Sequence, residues 1–522
     1  MRGKNLAAAA KFGAFDPALS EKIAGTDPHH LKRRPSSIIY PATMTTTFSS
    51  PSVARLAVNA SSLAAMIIVA ATSPSAAAFQ IIHQPPTALR RSRPITSLFE
   101  IKPTATTLQQ QYSSIIDVTE NAPRGDTGTL TEWAVSYGVQ ISDCFELVGN
   151  DSYDVNGDDI YSISNQYVGI ETPILCVPSD LILTGQKARQ ELGAETYGAE
   201  NTLPLSDHQP FYVFLKILKE YELGDKSPWY YWMNSLPRYF CNGASMTDFC
   251  FGCLPPYAAG LALSEKSRMK QFVQALDNVS FLSLESKRDV DLTTWAYNVV
   301  FTRSMENEWG DTTLVPIVDY FNHGAEANVY ITYDVDGNGY AYTARDIAPA
   351  EPLLFTYGDS TNPSYLLARY GFLDESAPAT FCKYVIDNPT FEMFNLGYPN
   401  KMIFYNDGGI SNEVWDVLLY ELLSKVSPEE QQAFYQAHMM GDDSIKASYH
   451  DQYFGQTFQL IQNHVNFILN ELDELGIGLE IQMAQGQDAQ LHPRLPLIMR
   501  HNEFVKRTFE DVQKLLDNMM FV

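Results

Sequence analysis

The sequence is poor in cysteine and in cationic side chains. Its 522 residues include six cysteines, and 36 Lys and Arg stand against 61 Asp and Glu. So few thiols in a chain of this length exclude a disulfide scaffold and indicate a reduced interior. The net charge of −25 argues against a nucleic-acid partner, because proteins that bind nucleic acids carry a basic face.

The scarcity of cysteine also bears on metal binding. Cys250 and Cys253 form a C-x-x-C pair, and Cys241 precedes them. A structural zinc ion needs four ligands, and no further cysteine or histidine lies close by in the sequence. We therefore expect no metal site there, and a redox-regulated thiol pair remains the alternative.

A second apparent metal motif lacks one ligand. Asp334, Asp336 and Asn338 match the start of an EF-hand loop, but Arg345 occupies the twelfth position, where calcium needs a glutamate. Strand-like residues flank this segment: Val329 to Tyr333 and Tyr340 to Thr343. The pattern predicts a β-hairpin around an Asp-Gly-Asn-Gly turn.

Long apolar runs are also missing, and the N-terminal region has the composition of a targeting segment. Residues 1–43 form a leader of uncertain status, since Met44 is an alternative start. The run Leu63–Ala71 is short for a membrane span and precedes an Ala-x-Ala sequence, so residues 44–78 are predicted to be a signal peptide. Residues 79–105 begin with Phe79, are rich in Arg and Ser, and reach no acidic residue before Glu100.

This arrangement resembles the bipartite plastid address of algae with complex plastids. It implies a plastid location, reached through a signal peptide plus a transit peptide, and no stable membrane insertion after processing. An ordinary secretory signal is the alternative.

The most informative stretch runs from Leu314 to Asp374. Leu314 to Val318 reads as a β-type run, followed by Asp319, Asn322 and His323. Leu353 to Thr356 is another apolar run, and Tyr357 and Gly358 follow it. The segment from Pro363 to Tyr370 reads as a helix that Gly371 ends, and Phe372 comes directly after.

These motifs, in this order and spacing, resemble the C-terminal half of a SET domain, in the subfamily of the Rubisco large-subunit lysine methyltransferases. The resemblance implies an α+β fold: a SET-type β-fold with a pseudo-knot and a helical insert, followed by an all-helical C-terminal domain. The SET domain would span residues 130–375, with the insert at about 185–300. Residues 379–522 would form the helical substrate-binding-like domain.

Helical patterns support that division of the chain. Pro210 to Leu223 is an amphipathic run that Gly224 ends, and Asp291 is placed to cap the helix that leads to Arg303. Ser427 and Pro428 open another helix. Two apolar stripes follow, one predicted to end at Gly476 and one closing the chain. Their residues are Phe454, Phe458, Ile461, Val465, Ile468, Leu472 and Leu475, then Val505, Phe509, Val512, Leu516 and Met519.

The same resemblance implies a protein-lysine N-methyltransferase that uses S-adenosyl-L-methionine and acts on a protein substrate. Tyr357 would be the catalytic residue, since a buried hydroxyl beside the sulfonium can orient the attacking amine. Arg303 would hold the carboxylate of the cofactor, with a surface salt bridge as the alternative role. The implied cofactor-binding residues are Arg303, Asp319, Asn322, His323 and Tyr357, and the implied substrate-binding residues are Tyr370 and Phe372.

The sequence leaves two alternatives open. The family's Gly-x-Gly turn falls at Asp159, Ile160 and Tyr161 in this chain, and none of these is a glycine. Glycine lets a backbone approach a ligand closely, so a catalytically silent SET scaffold that binds a protein partner remains possible. A histidine acceptor in place of lysine is the other alternative.

The targeting prediction can be tested with a reporter protein. A fluorescent protein fused after residues 44–110 should enter the plastid of an alga with complex plastids, seen as overlap with chlorophyll fluorescence. Replacing Phe79 by alanine should leave the reporter in an endomembrane compartment. Secretion of the unaltered fusion would refute the transit-peptide interpretation.

Overall fold

A computed structural model describes residues 115–149, 160–196, 198–376, 379–380 and 384–519 of the chain. The predicted leader, signal peptide and transit peptide lie outside the described residues, as does Asp159. These assignments therefore stay predictions. No helix in the described part of the chain is long and apolar enough to cross a membrane.

Short strands and many helices alternate along the described chain. The strands are β1 Gln140–Ile141, β2 Phe145–Gly149, β3 Ile160–Ser164, β4 Pro173–Val177, β5 Leu183–Thr184, β6 Met305–Glu306, β7 Thr312–Leu314, β8 Asn322–His323, β9 Val329–Tyr333, β10 Gly339–Thr343, β11 Glu351–Pro352, β12 Leu354–Phe355, β13 Ala379–Thr380 and β14 Phe404–Tyr405. The helices are α1 Thr127–Ser136, α2 Gly185–Leu192, α3 His208–Leu223, α4 Tyr230–Ser235, α5 Asp248–Gly252, α6 Pro256–Ala275, α7 Leu284–Arg288, α8 Val290–Arg303, α9 Pro363–Tyr370, α10 Phe391–Asn395, α11 Asn412–Val426, α12 Pro428–Met440, α13 Asp443–Ala484 and α14 Leu495–Met519.

The strands form several small sheets. The largest has the order β1-β4-β10-β9 with antiparallel neighbours, and others have the orders β11-β3-β2 and β5-β7-β6. Strands β8 and β12 pair in parallel. The predicted hairpin is confirmed as β9 and β10. Its turn is closed by Asp334, whose Oδ1 accepts the backbone N–H groups of Asp336 and Asn338 at 2.9 Å each.

The predicted β-run from Leu314 to Val318 is wrong beyond its first residue. Strand β7 ends at Leu314, and a 3₁₀ turn occupies Val318–Tyr320. Between them, the buried Ile317 adopts φ +75°, a conformation that a β-branched residue rarely tolerates. This change of direction carries Asp319 into the interior, where its side chain is fully buried.

The helical insert contains α2 to α8, and its core is aromatic. Phe272 packs edge-on against Phe211 at 5.3 Å and against Phe301 at 5.3 Å between ring centroids. The predicted cap of α8 lies two residues after the observed one. Asp289, not Asp291, accepts the N–H of Leu292, because Asp289 is the residue whose backbone is still extended.

The C-terminal helices α11 to α14 bury most of the two predicted stripes in one core, whereas Phe454 of the first stripe is exposed. Phe458, Ile461 and Val465 of α13 face Phe509 and Val512 of α14 in this core. The expected stop at Gly476 is wrong, since α13 continues to Ala484. Beyond the glycine, Leu479 packs in a cluster with insert and α14 residues. This burial outweighs the cost of about 1 kcal/mol for glycine in a helix.

Two helix-ending glycines offer a matched test of packing. Gly371 after α9 and Gly441 after α12 both have positive φ, at +81° and +68°. A Cβ on Gly371 would lie 2.7 Å from the backbone N of Asn242, whereas a Cβ on Gly441 would meet nothing. Urea unfolding should therefore show a loss of about 1 kcal/mol for Gly441→Ala from backbone strain alone, and of about 3 kcal/mol or more for Gly371→Ala. Equal losses for the two variants would contradict this packing.

Candidate active site

The candidate site is assembled by the parallel pairing of β8 and β12. Asn322 lies opposite Leu354, and His323 lies opposite Phe355. Asn328, which is fully buried, holds the second strand in place: its Nδ2 donates to Pro352 O at 2.8 Å, and its Oδ1 accepts the N–H of Leu354. The chain that leaves β12 therefore carries Tyr357 alongside Asn322 and His323, as the predicted pseudo-knot requires.

Hydrogen bonds fix both ends of Tyr357. Its hydroxyl donates to Phe321 O at 2.7 Å, and its backbone N–H donates to His323 Nδ1 at 3.1 Å. Its backbone carbonyl accepts the hydroxyl of Tyr370 at 2.9 Å. The ring of Tyr357 lies 5.0 Å from that of Tyr370 and 6.1 Å from that of Phe372, measured between centroids. The predicted catalytic and substrate-binding residues thus form one aromatic cluster.

Helix α9 places the second half of this cluster. Asn362 caps its first turn by accepting the N–H of Tyr365, Pro363 is its first residue, and Gly371 in the left-handed region ends it. The chain therefore turns sharply after Tyr370 and brings Phe372 back to within 5.4 Å of the His323 ring.

His323 is held as one neutral tautomer. Its Nδ1 accepts the N–H of Tyr357, so the ring proton resides on Nε2. That Nε2 is buried and has no hydrogen-bond partner among the described residues. Burial lowers the pKa of His323, with a smaller opposing effect from Asp374. The site thus contains a buried N–H donor that a ligand atom could satisfy.

Arg303 and Asp319 form a buried ion pair. The Arg303 Nη1 donates to the backbone oxygen of Asp319 at 2.8 Å and to its Oδ2 at 3.1 Å, and the two side chains are 10% and 0% exposed. Trp232 Nε1 donates to the same carboxylate at 3.2 Å. Burial raises the pKa of Asp319, and the Arg303 guanidinium opposes that rise. The surface salt bridge considered for Arg303 is therefore an interior one.

Two cavities meet at these residues. The first has a volume of about 320 Å³, and the second about 400 Å³. Both are lined by Thr302, Arg303, Asp319, Tyr357 and Tyr370. Tyr357 therefore lies where one cavity gives way to the other.

The predicted residues divide between the two cavities. Asn322, His323 and Phe372 line the second cavity together with Ile160, whereas Tyr161 does not. The first cavity has aromatic and apolar walls, and charged residues such as Glu265, Glu306 and Arg369 also line it. Its lining includes Phe301, Met305, Phe321, Tyr330, Phe355 and Tyr365. Phe372, predicted to bind substrate, is thus placed on the side of the predicted cofactor residues.

Sequence reasoning missed Arg124, which also lines the second cavity. Its Nε and Nη2 donate to Ser235 O at 2.9 and 2.7 Å, which anchors the segment before α1 to the insert. No spacing rule connects Arg124 to the motifs some 200 residues later, so only the folded chain reveals its position. With Arg303 and Arg500, it gives the second cavity three guanidinium groups.

The cysteines of the C-x-x-C pair lie apart from this chemistry. Cys250 and Cys253 are buried and free, and burial raises the pKa of the Cys253 thiol to about 11. A thiol with so high a pKa is a poor nucleophile, which weakens the redox interpretation. In the described part of the chain, no three Cys, His, Asp or Glu side chains are grouped as metal ligands.

The two cavities share Tyr357 and Tyr370 in their linings. Comparison with known proteins identifies the fold around them. The sequence model of the SET domain family matches residues 163–358, so the chain contains a SET domain. No curated protein sequence is a significant match.

The fold resembles solved structures of Rubisco LSMT. One, bound to sinefungin and monomethyllysine, is 15% identical, with a TM-score of 0.51 over 76% of this chain and 92% of that one. Another, the SET domain of LSMT bound to lysine and AdoHcy, is 13% identical, with a TM-score of 0.50 over 76% of this chain and 91% of that one. The predicted fold class, a SET fold followed by a helical C-terminal region, is confirmed.

The state of His323 predicts a pH dependence. Its pKa lies below the ordinary 6.5 in the folded state, so between the two pKa values the unfolded chain binds more protons. The stabilisation contributed by neutral His323 is thus complete above about pH 6.5 and lost as the pH falls below it. This can be tested by measuring the free energy of unfolding in urea at pH 5.5 and pH 7.5. The wild type should be more stable than His323→Gln at pH 7.5, and this difference should become smaller at pH 5.5.

The comparison cancels the contribution of other buried histidines, such as His501, which both proteins retain. A difference between wild type and His323→Gln that stays constant between these two pH values would contradict the lowered pKa of His323.

Proposed function

We propose that this protein is an S-adenosyl-L-methionine-dependent protein-lysine N-methyltransferase that acts on a plastid protein. The observation that carries the proposal is the position of Tyr357 at the junction of two cavities, next to the Asn322 and His323 motif. S-adenosyl-L-methionine would supply a methyl group from its sulfonium. Transfer to an amine would form a C–N bond as the C–S bond breaks, with S-adenosylhomocysteine as the leaving group. Such a displacement needs two ligands that approach one point from opposite sides, away from water.

The second cavity fits the cofactor. Its volume of about 400 Å³ falls within the range of small-molecule sites. Arg124 and Arg303 would face the cofactor carboxylate with charge-assisted hydrogen bonds. The buried Nε2–H of His323 would find its missing acceptor there, and Phe372 offers an aromatic ring for packing.

The first cavity fits the side chain of the acceptor. Phe301, Phe321 and Tyr365 provide apolar walls for the methylene groups of a lysine. The hydroxyl of Tyr357 donates its proton to Phe321 O, so its oxygen lone pairs are oriented to accept an N–H of the incoming amine. The amine must be neutral to attack, and burial between these walls favours the neutral form of a lysine.

Arg303 and Asp319 act in this scheme by position as well as charge. The pair lines both cavities and joins α8 to the turn before β8. The ion pair also favours the alternative of a catalytically silent scaffold. An arginine already neutralised by a carboxylate attracts the anionic carboxylate of a cofactor less strongly. A catalytically silent SET scaffold is therefore retained as the second candidate, and cofactor binding distinguishes the two.

Replacement of Tyr357 by phenylalanine tests the catalytic role. The variant keeps the ring but loses the hydroxyl that holds the acceptor, so turnover should fall by about 10²- to 10³-fold. Affinity for S-adenosylhomocysteine, measured by isothermal titration of the full chain, should change much less. The assay follows transfer of labelled methyl groups from S-adenosyl-L-methionine to proteins of a plastid extract.

The control is Tyr435→Phe, which removes a tyrosine hydroxyl that accepts from Asn395 in the C-terminal helices. It should leave turnover unchanged. Unaltered turnover in Tyr357→Phe would make Tyr357 a structural tyrosine. Absence of any heat or thermal shift with millimolar S-adenosylhomocysteine would leave the silent scaffold as the function.

A further inference from the structure

An aromatic surface lies on the sheet beside the first cavity. Along β9 and β10, buried residues alternate with half-buried ones, and Tyr330, Tyr340 and Tyr342 are half-buried tyrosines whose rings lie next to one another. The rings of Tyr330 and Tyr342 stack across the strands at 5.6 Å with an angle of 18°, and Tyr342 and Tyr340 follow at 6.3 Å and 30°. These three residues are called the tyrosine row.

The tyrosine row is continuous with the candidate active site. Tyr330, at one end of the row, also lines the first cavity, as do its neighbours Val329 and Ile331. Tyr357 lines the same cavity. One route for a polypeptide whose acceptor side chain enters this cavity therefore runs past Tyr330 and along the tyrosine row.

Carboxylates flank both ends of the row. The hydroxyl of Tyr330 donates to Glu171 Oε2 at 2.7 Å, and the hydroxyl of Tyr340 donates to Asp334 Oδ2 at 3.3 Å. Asp336 adds a further exposed acidic side chain at the tip of the hairpin. Arg345, which follows β10, is neutralised by Glu351 at 2.6 Å. The surface therefore combines aromatic faces with negative charge.

We propose that the tyrosine row binds a basic segment of the protein substrate next to the methylated residue. Guanidinium and ammonium groups are attracted to the faces of aromatic rings. The negative carboxylates of Glu171 and Asp334 attract the same cations. An acidic or purely apolar segment would gain neither interaction. The part of this proposal that concerns the substrate rests on the proposed function, whereas the binding of a basic peptide can be measured separately.

Two fluorescent peptides of equal length and with a central lysine test the proposal. One carries arginines on both sides of the lysine, and the other carries glutamates at the same positions. Fluorescence anisotropy with the full chain should show binding of the arginine peptide at least about tenfold tighter than that of the glutamate peptide, and added salt should weaken it.

Variants outside the cavity lining locate the interaction. Tyr342→Leu should weaken binding of the arginine peptide about two- to fivefold, and Tyr340→Leu/Tyr342→Leu about tenfold, because leucine has no aromatic face. Tyr342→Phe retains the ring and should bind as the wild type does. Tyr137→Leu, at an exposed tyrosine just after α1, is the matched control and should have no effect.

Unchanged affinity in the double leucine variant, or equal binding of the two peptides, would overturn the proposal. Retained binding in Tyr342→Phe shows that the ring and not the hydroxyl carries the interaction, and an unchanged thermal unfolding midpoint shows that Tyr342→Leu is folded. Titration with S-adenosylhomocysteine on the same samples reports on the proposed function separately. If the protein does not bind S-adenosylhomocysteine but requires Tyr342 to bind the arginine peptide, the proposal for the tyrosine row is supported and the proposed methyltransferase function is refuted.

Discussion

The parallel pairing of Asn322–His323 with Leu354–Phe355 is the constraint on which the candidate site depends. The two segments are about 30 residues apart, and the hairpin of β9 and β10 lies between them. Parallel strands cannot be joined by a tight turn and need a long connection. At the end of this connection, the side-chain amide of the buried Asn328 bonds to the backbone of Pro352 and Leu354. Without this pairing, the backbone N–H of Tyr357 would not reach His323.

Charge around the first cavity is balanced by pairs. Arg303 is matched by Asp319 and Arg369 by Glu265, at 3.1 and 2.9 Å, and Arg268 by Asp207. Loss of one partner would leave a buried charge uncompensated, which is costly, so each pair acts as a unit. Glu306 also lines this cavity, so the balance is incomplete. Under the proposed function, charge on the substrate polypeptide would be recognised outside the cavity, at the tyrosine row.

The elements that the sequence predicted correctly are those stabilised by residues close together in the chain. The hairpin of β9 and β10 follows from alternation around an Asp-Gly-Asn-Gly turn, and α9 follows from its cap, its first proline and Gly371. Two errors lie in buried parts of the chain, and the misplaced cap of α8 is a local one. Leu479 is buried beyond Gly476 in α13, and β7 ends at Leu314, shortly before the buried Ile317 with its positive φ.

The sequence by itself determined the fold class and most of the residues around Tyr357, because their motifs occur in order within sixty residues. It also determined the amphipathic faces of the C-terminal helices, because the helical spacing of apolar residues can be recognised without knowing which helix packs against them. Only the tertiary structure decided that Arg303 pairs with Asp319, that Arg124 enters the second cavity, and that Tyr330, Tyr340 and Tyr342 form one row. These outcomes depend on distances between segments remote in sequence, which packing sets and local propensity does not encode.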